Sequence, residues 1–421
     1  MIRRILVADL RDHIGETVSV AGWVQTLRLQ RAMQFAVLRD HTGTAQVTHR
    51  RDDSSLDKAL DGLSTESAVR ITGRVVANPV VSLGGLEIVL DEITVCGPAE
   101  APLPIDDQSG PEHRLDWRFL DVRRRAGVRE IFAVQATVEN AMREFAYANG
   151  CTEMHTPKLM GTASESGAAV FKVGYFGKDA YLAQSPQFYK QMAIAAGIDR
   201  VFEVGPVFRA EPSFTSRHAT EFTSVDVELG WIDGVEDVMD FEERMLVHVL
   251  TAVADRHGLD VGIPAVPFPR ITMAEAQRTL RAGGWEGPAD DLNPEGERRL
   301  VADVGHDFLF VTAFPTSGRP FYHMRPADRP DLTLSYDLLW KGLEITTGAQ
   351  REHRHEVLLR QVAEAGLSPE PMADYLNCFR YGCPPHGGFG FGLGRFLMIL
   401  LGLESLREAT FLFRGPNRLT P

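Results

Sequence analysis

Two arginine-bearing segments carry the clearest chemistry in this sequence. The first is Val207-Phe208-Arg209-Ala210-Glu211, which leads through the loop Ser213 to Glu221 into the strand-like run Phe222 to Leu229. An arginine beside a glutamate on a strand could grip a phosphate with one and read an amino group with the other. The second is Gly388-Phe389-Gly390-Phe391-Gly392-Leu393-Gly394-Arg395, running straight into the apolar stretch Phe396 to Leu401. Glycines let backbone approach a ligand closely. A guanidinium both forks onto phosphate and lies flat on an aromatic ring. Arg395, at the mouth of a glycine-cleared helix, could therefore close the far side of a nucleotide held by Arg209 and Glu211.

The elements that must position these groups fall into two blocks. From Thr17 to about Val95 the chain reads as five short strands: Thr17 to Thr26, Gln34 to Arg39, Thr44 to Thr48, Ser67 to Val76 and Gly85 to Val95. Asp40-His41-Thr42-Gly43 and Gly84-Gly85 mark turns, and a helical stretch, Ser55 to Leu63, lies between the third and fourth strands. That order predicts an OB-fold barrel, which presents one face to single-stranded nucleic acid. The expected division is an OB domain over 1–102, a proline-bearing linker over 103–115 and a second domain over 116–421. In the second block, Arg124 to Asn149 has helical periodicity and stops at Asn149-Gly150. A proline-bearing strand, Glu153 to Pro157, follows it. Residues Ile271 to Gly305 read as a charged helical insertion without chemistry of their own.

Composition bounds the rest. With 421 residues, two domains are the natural expectation. The net charge of −13 argues against indiscriminate nucleic-acid binding. No apolar run approaches the roughly 20 residues needed to span a bilayer, and Asp9 and Asp12 follow the amino terminus at once, so a cytoplasmic protein without membrane contact is expected. Cys96, Cys151, Cys378 and Cys383 lack metal-ligand spacing and read as reduced thiols.

The two arginine segments resemble motifs two and three of the class II aminoacyl-tRNA synthetases, and the long helix, strand and proline resemble motif one, which builds a homodimer interface in that family. The likeness extends over nearly the whole chain in the aspartyl-tRNA synthetases of the shorter archaeal and eukaryotic type. It is carried by Gln184-Ser185-Pro186-Gln187-Phe188-Tyr189-Lys190-Gln191, Ser335-Tyr336-Asp337, Gly348-Ala349-Gln350-Arg351-Glu352-His353 and Pro384-Pro385-His386-Gly387-Gly388. The implied fold is α+β, an N-terminal OB-fold β-barrel followed by a class II catalytic domain with an antiparallel sheet flanked by helices. The implied reaction is ATP-dependent ligation of L-aspartate to tRNA(Asp) through an aspartyl-adenylate.

The resemblance also implies roles. Arg209 would hold the α-phosphate and the substrate carboxylate, Glu211 the adenine amino group, and Arg217 and His218 the outer phosphates. Phe222 and Arg395 would sandwich adenine. Lys190 and Arg351 would converge on the aspartate side chain, while Glu165, Gln187 and Asp226 would take its α-amino group. Asp337 and Glu344 would hold Mg2+, a hard cation suited to carboxylates. On the barrel, Phe35, Gln46 and Glu87 would contact the anticodon. Gln25, where many relatives that charge both tRNA(Asp) and tRNA(Asn) have histidine, favours charging of tRNA(Asp) alone. An amide in place of the carboxylate would leave two cations unpaired, which sets aspartate apart from asparagine.

Four departures accompany the resemblance, the first being Ser166, beside Glu165, where a glycine is usual. Gly394 stands where a glutamate is usual, and Phe413 and Gly415 replace a proline and an aspartate of the family's tail. The alternatives are an enzyme that also aspartylates tRNA(Asn), an asparaginyl-tRNA synthetase, against which Lys190 argues, and a tRNA-independent paralogue, against which the barrel argues.

Overall fold

The structure, a computed structural model, describes residues 3–52, 54–162 and 170–421, and the chain divides into two compact units, Met1–Arg124 and Arg125–Pro421. The first unit is a closed barrel. A two-residue strand β1 (Arg4–Ile5) precedes β2 (Thr17–Leu29), β3 (Met33–Arg39), β4 (Thr44–Arg50), β5 (Ala68–Ala77) and β6 (Leu86–Gly97). The order β2-β3-β4-β6-β5 closes by pairing β5 with β2. Helix α1 (Ser55–Asp61) lies between β4 and β5 and is capped by the Ser54 side chain. The alternation of each strand buries Val18, Val20, Ala36, Leu38, Val47, Ile71 and Ile88 in one core and turns Phe35, Gln46 and Glu87 to the other face. Helix α2 (Pro111–Asp116) begins inside the stretch read as linker, α3 (Arg118–Arg124) comes after it, and both belong to this unit.

The second unit is built on an eight-stranded sheet. Long helix α4 (Ala126–Ala148) leads into β7 (Thr152–Glu153). That strand is shorter than the run to Pro157 expected from sequence, because after the Met154 N–H meets Phe202 O the ladder ends and Pro157 has no N–H to continue it. A small sheet, β8 (Leu159–Met160), β9 (Lys172–Tyr175) and β10 (Lys178–Leu182), precedes α5 (Gln187–Ala195). The hairpin of β11 (Arg200–Phe208) and β12 (Glu221–Gly230) then feeds α6 (Val235–His257). Next come β13 (Arg270–Thr272), α7 (Met273–Ala282), α8 (Pro294–Val304), β14 (Phe308–Thr312), β15 (Ser335–Trp340) and β16 (Leu343–Arg351). Helices α9 (His355–Glu364) and α10 (Ala373–Cys378), strand β17 (His386–Gly392) and helix α11 (Leu393–Leu400) complete it.

Strand order is β13-β14-β15-β16-β17-β12-β11-β7, antiparallel from β14 to β11 and parallel only at the two outer pairings. The two faces of this sheet differ in kind. Val225, Val227, Leu229, Tyr336, Leu338, Phe389 and Phe391 pack on α4 and α6 in the principal core. The alternate residues, Ser224, Asp226, Glu228, Asp337, Gly388 and Gly390, belong to the opposite face, where the polar site is built. The region read as an insertion does form two helices, packed on β14 and β15 through Ala276, Leu280, Leu300, Leu309 and Leu339. No helix among the described residues is long and apolar enough to cross a membrane, and all four cysteines are free.

Candidate functional site

The open face of the sheet carries a cavity of about 260 Å³. Its lining gathers residues far apart in sequence: Gln187 from α5, Arg209 and Glu211 after β11, Arg217 and His218 in the connecting loop, and Phe222 and Asp226 on β12. Glu344 and Arg351 on β16 and Arg395 on α11 complete the set. Ten of the residues singled out from sequence thus face one space. Glu165 and Ser166 lie outside the described residues.

The floor is a buried charge network. Glu228, fully buried on β12, accepts from Arg351 Nε at 2.9 Å and Nη2 at 3.3 Å, and lies 3.4 Å from Lys190 Nζ. Burial alone would push its carboxyl up, but Arg351 and then Lys190 outweigh it and hold it below the ordinary glutamate value. Lys190 Nζ also donates to Asp226 Oδ1 at 3.1 Å and to Phe389 O at 2.9 Å. Arg351 Nη2 also donates to Gly388 O at 2.8 Å. Gly388 is required here: a Cβ would stand 2.0 Å from Val227 O and 2.4 Å from Glu228 Oε2. The glycines that sequence reading assigned to a nucleotide's approach therefore also make room for this carboxylate.

Lys190 is buried among these partners and is not part of the cavity lining, whereas Arg351 is. Glu228 itself was missed from sequence. Its signal was the alternation Ser224-Val225-Asp226-Val227-Glu228-Leu229, a polar stripe on one face of a strand whose other face is core.

A neutral relay fixes Gln187. Its Nε2 donates to Gln191 Oε1 (2.9 Å), which also receives Tyr375 OH (3.0 Å), and Gln191 Nε2 donates to His386 Nε2 at 2.9 Å. Burial pushes the His386 imidazole down to about 4, so its proton sits on Nδ1 and goes to Pro384 O at 2.9 Å. Gln187 thus has its amide nitrogen committed and its Oε1 left as the acceptor it can offer a ligand.

The rim is different in character. Arg209 is exposed and lies over the Phe222 ring at 5.3 Å. Arg395 Nη1 donates to Glu344 O at 3.2 Å and reaches Glu344 Oε2 at 3.4 Å. Burial and the neighbouring Arg395 hold His218 below the ordinary histidine value, so the ring at this rim is neutral. Helix α8, expected to carry no chemistry, brings Glu297 to the edge, where its Oε2 accepts from the Glu344 N–H (3.3 Å) and lies 3.6 Å from Arg217 Nη1. Burial and the Glu344 charge raise Glu297 to about 7.

The two carboxylates expected to hold a metal are not equally placed. Glu344 is about a third exposed, accepts from Thr347 Oγ1 at 3.1 Å, and lines the cavity. It fits a hard cation. Asp337 gives both oxygens to Arg319, at 2.9 and 2.6 Å, and that guanidinium is locked over Phe314 at 3.6 Å. A cation at Asp337 would have to displace Arg319, so only Glu344 is set to offer a ligand as it stands.

The departures at Gly394, Phe413 and Gly415 have local reasons. A Cβ on Gly394 would meet Leu406 Cδ1 at 2.3 Å, and Leu406 N–H ties the tail to Ser216 O at 2.9 Å. Phe413 is buried with Arg407 at 5.2 Å from its ring, and a Cβ on Gly415 would press on that ring at 2.7 Å. Between them, Arg414 O accepts from the Thr220 N–H at the base of the β11–β12 loop, 3.0 Å. The altered tail closes on the loop that carries Arg217 and His218.

On the barrel, Gln46 Nε2 donates to Glu87 Oε2 at 2.9 Å across β4 and β6, and Phe35 is half-buried on the same outer face, outside the barrel core. Gln25 is exposed at the bulge where β2 shifts register against β3.

Comparison with known proteins bears on both units. Residues 110–414 match the family described as tRNA synthetases class II (D, K and N), and residues 18–96 match the OB-fold nucleic acid binding domain. The chain is 39% identical to the aspartate–tRNA(Asp) ligase of Pyrococcus abyssi over 440 residues, with both chains covered in full. It is 42% identical to the aspartate–tRNA(Asp/Asn) ligase of Methanopyrus kandleri over 436 residues, again with full coverage of both. Among solved structures it is similar to the asparaginyl-tRNA synthetase of Pyrococcus horikoshii bound to asparaginyl-adenylate, with a TM-score of 0.93, 32% identity and both chains covered in full.

Proposed function

From the premise that this chain belongs to the class II tRNA synthetases of the D, K and N group, we propose that it is an aspartate–tRNA ligase, joining L-aspartate to tRNA(Asp) through an aspartyl-adenylate. The observation that carries the choice of amino acid is the Arg351–Glu228–Lys190 network beneath the cavity. Two cations, Arg351 and Lys190, stand against two carboxylates, Glu228 and Asp226, so once a substrate ammonium docks at Asp226 the floor is short of negative charge by one. A ligand carboxylate against Arg351 supplies it. A neutral amide does not, which separates this site from that of an asparaginyl enzyme of the same fold.

The reaction needs little acid–base help, because the attacking carboxylate is already ionised. Gln187 Oε1 and Asp226 accept from the substrate ammonium, and Asp226 is held in place by Lys190 Nζ at 3.1 Å and by Ser224 Oγ at 2.6 Å. ATP binds along the rim, its adenine on Phe222 with Arg395 on the far side and Glu211 accepting from the exocyclic amine. Entry of the base requires the Arg209 guanidinium to leave the Phe222 ring and turn to the α-phosphate. Arg217 and His218 hold the outer phosphates. Positioning and neutralisation of developing phosphate charge then drive the step. Mg2+ bound with ATP would be held by Glu344 and would spread that charge further.

The acyl group passes to the terminal adenosine of tRNA(Asp), whose anticodon lies on Phe35, Gln46 and Glu87 of the barrel. Helix α4 with β7 supplies the contact of a homodimer. A second acceptor, tRNA(Asn), is favoured by the likeness to the Methanopyrus enzyme, while Gln25 favours tRNA(Asp) alone. ATP–pyrophosphate exchange should depend on aspartate and not on asparagine; exchange with asparagine alone would overturn the reading. Aminoacylation of each purified tRNA decides the acceptor.

A further inference from the structure

One lining residue of the cavity, His323, carries a donor that the roles assigned so far leave unused. His323 is 2% exposed, and its backbone is fixed by a bridge to Arg351 and by Gln361 Nε2 on its carbonyl at 3.1 Å. Its ring Nε2 lies 3.2 Å from Arg351 Nη1. A guanidinium nitrogen can only donate, so Nε2 must be the acceptor and the ring proton must sit on Nδ1. Burial, then the charges of Arg351, Arg319 and Lys190, hold the ring neutral, well below the ordinary histidine value. Among the described residues, no protein group accepts from that Nδ1. A buried donor with nothing to donate to is costly unless a ligand satisfies it.

The neighbouring arginine is in a similar position. Arg351 spends Nε and Nη2 on Glu228 and Gly388 O, which leaves one Nη1 hydrogen beyond the bond to His323. Lys190, committed to Asp226, Glu228 and Phe389 O, does not line the cavity.

We propose that His323 is a specificity-determining residue whose Nδ1–H donates to the side-chain carboxylate of the substrate, beside Arg351. This rests on the aspartate reading above. A carboxylate accepts at both oxygens and satisfies both donors. An asparagine amide has one oxygen, and its NH2 group would be turned on the other donor.

The test is ATP–pyrophosphate exchange with aspartate and with asparagine, on wild type and on His323→Leu, His323→Asn and His323→Gln. Asparagine keeps an N–H near the Nδ1 position, while glutamine places its amide near Nε2. His323→Leu and His323→Gln should raise the KM for aspartate by about ten- to a hundredfold and narrow the aspartate preference by a similar factor. The KM for ATP should stay put, and His323→Asn should recover most of the loss. An aspartate KM that is unchanged in His323→Gln, or equally raised in His323→Asn and His323→Gln, overturns the proposal. The two amide variants keep the test decisive if the leucine variant does not fold. Failure of the aspartate reading looks different, since wild type itself would then show no aspartate-dependent exchange.

Discussion

The two faces of the catalytic sheet each bury a glutamate completely and hold it in opposite states. On the cavity face, Glu228 has Arg351 and Lys190 against it and is kept ionised. On the helix face, Glu242 of α6 has no cation paired with it among the described residues. Its Oε2 accepts from Tyr336 OH at 2.6 Å, and burial raises it to about 7. Burial is equal at the two sites, so it cannot be what separates them. The difference is the supply of positive charge: Arg351 and Lys190 reach Glu228, while on the helix side Arg270 pairs with Asp240 and Glu243. A buried carboxylate held in a network of cations and carboxylates beside an open cavity marks a place prepared for a charged ligand. A buried carboxylate held by a phenol marks packing.

The sharpest way to break this contrast is to remove a cation from the floor. Arg351→Leu leaves Glu228 with Lys190 alone and should cost about 3–5 kcal/mol of stability, because removal of one partner strands a buried charge. Aspartate-dependent exchange should fall about a hundredfold or more as well. Arg209→Ala is the control on the rim. It should lower the exchange rate by about 10²- to 10³-fold yet shift stability by no more than about 0.5 kcal/mol, since Arg209 is exposed and rests on Phe222. Thermal melts and exchange rates on both variants decide it. Equal melting temperatures would mean that the floor is not a strained charge network.

How much of this was legible in the sequence follows the same division. Strand alternation and turn residues placed the barrel, and Arg209, Glu211 and Arg395 announced the rim through local motifs, while Arg217 and His218 came from the family resemblance alone. Glu228 was readable in principle from the polar stripe on β12, but its meaning needed Lys190 and Arg351, 38 and 123 positions away. His323 and Arg319 sit in irregular backbone with no periodicity to mark them, and Glu297 looked like one charge among many on a surface helix. Pairings such as Arg319 with Asp337 depend on chain crossings that local pattern does not encode.

On the helix face, Glu242→Gln isolates the other half of the comparison. The folded-state carboxyl titrates near 7, above its ordinary value of 4.5. Glu242 therefore stays protonated in the folded chain where the unfolded chain has already lost the proton. Stability from this group is full below about pH 4.5 and drains away as pH rises to about 7. The glutamine variant should lose that slope and, above pH 7, exceed wild type by an amount on the order of 3 kcal/mol. Melting temperatures of both proteins from pH 4.5 to 8 measure it. Parallel curves would show that a cation or water reaches Glu242 after all.

The smallest effect belongs to the barrel, whose outer face uses stacking and neutral hydrogen bonds instead of buried charge. Phe35 is half-buried beside Gln46 and Glu87 and contributes nothing to the barrel core. Phe35→Ala should therefore leave the fold and ATP–pyrophosphate exchange intact while removing one base-stacking surface, worth about 1–3 kcal/mol. The KM for tRNA(Asp) in aminoacylation should rise by roughly five- to 150-fold. A change in exchange instead of tRNA KM would mean that Phe35 acts through the fold of its unit, and the barrel face would lose its claim to the anticodon.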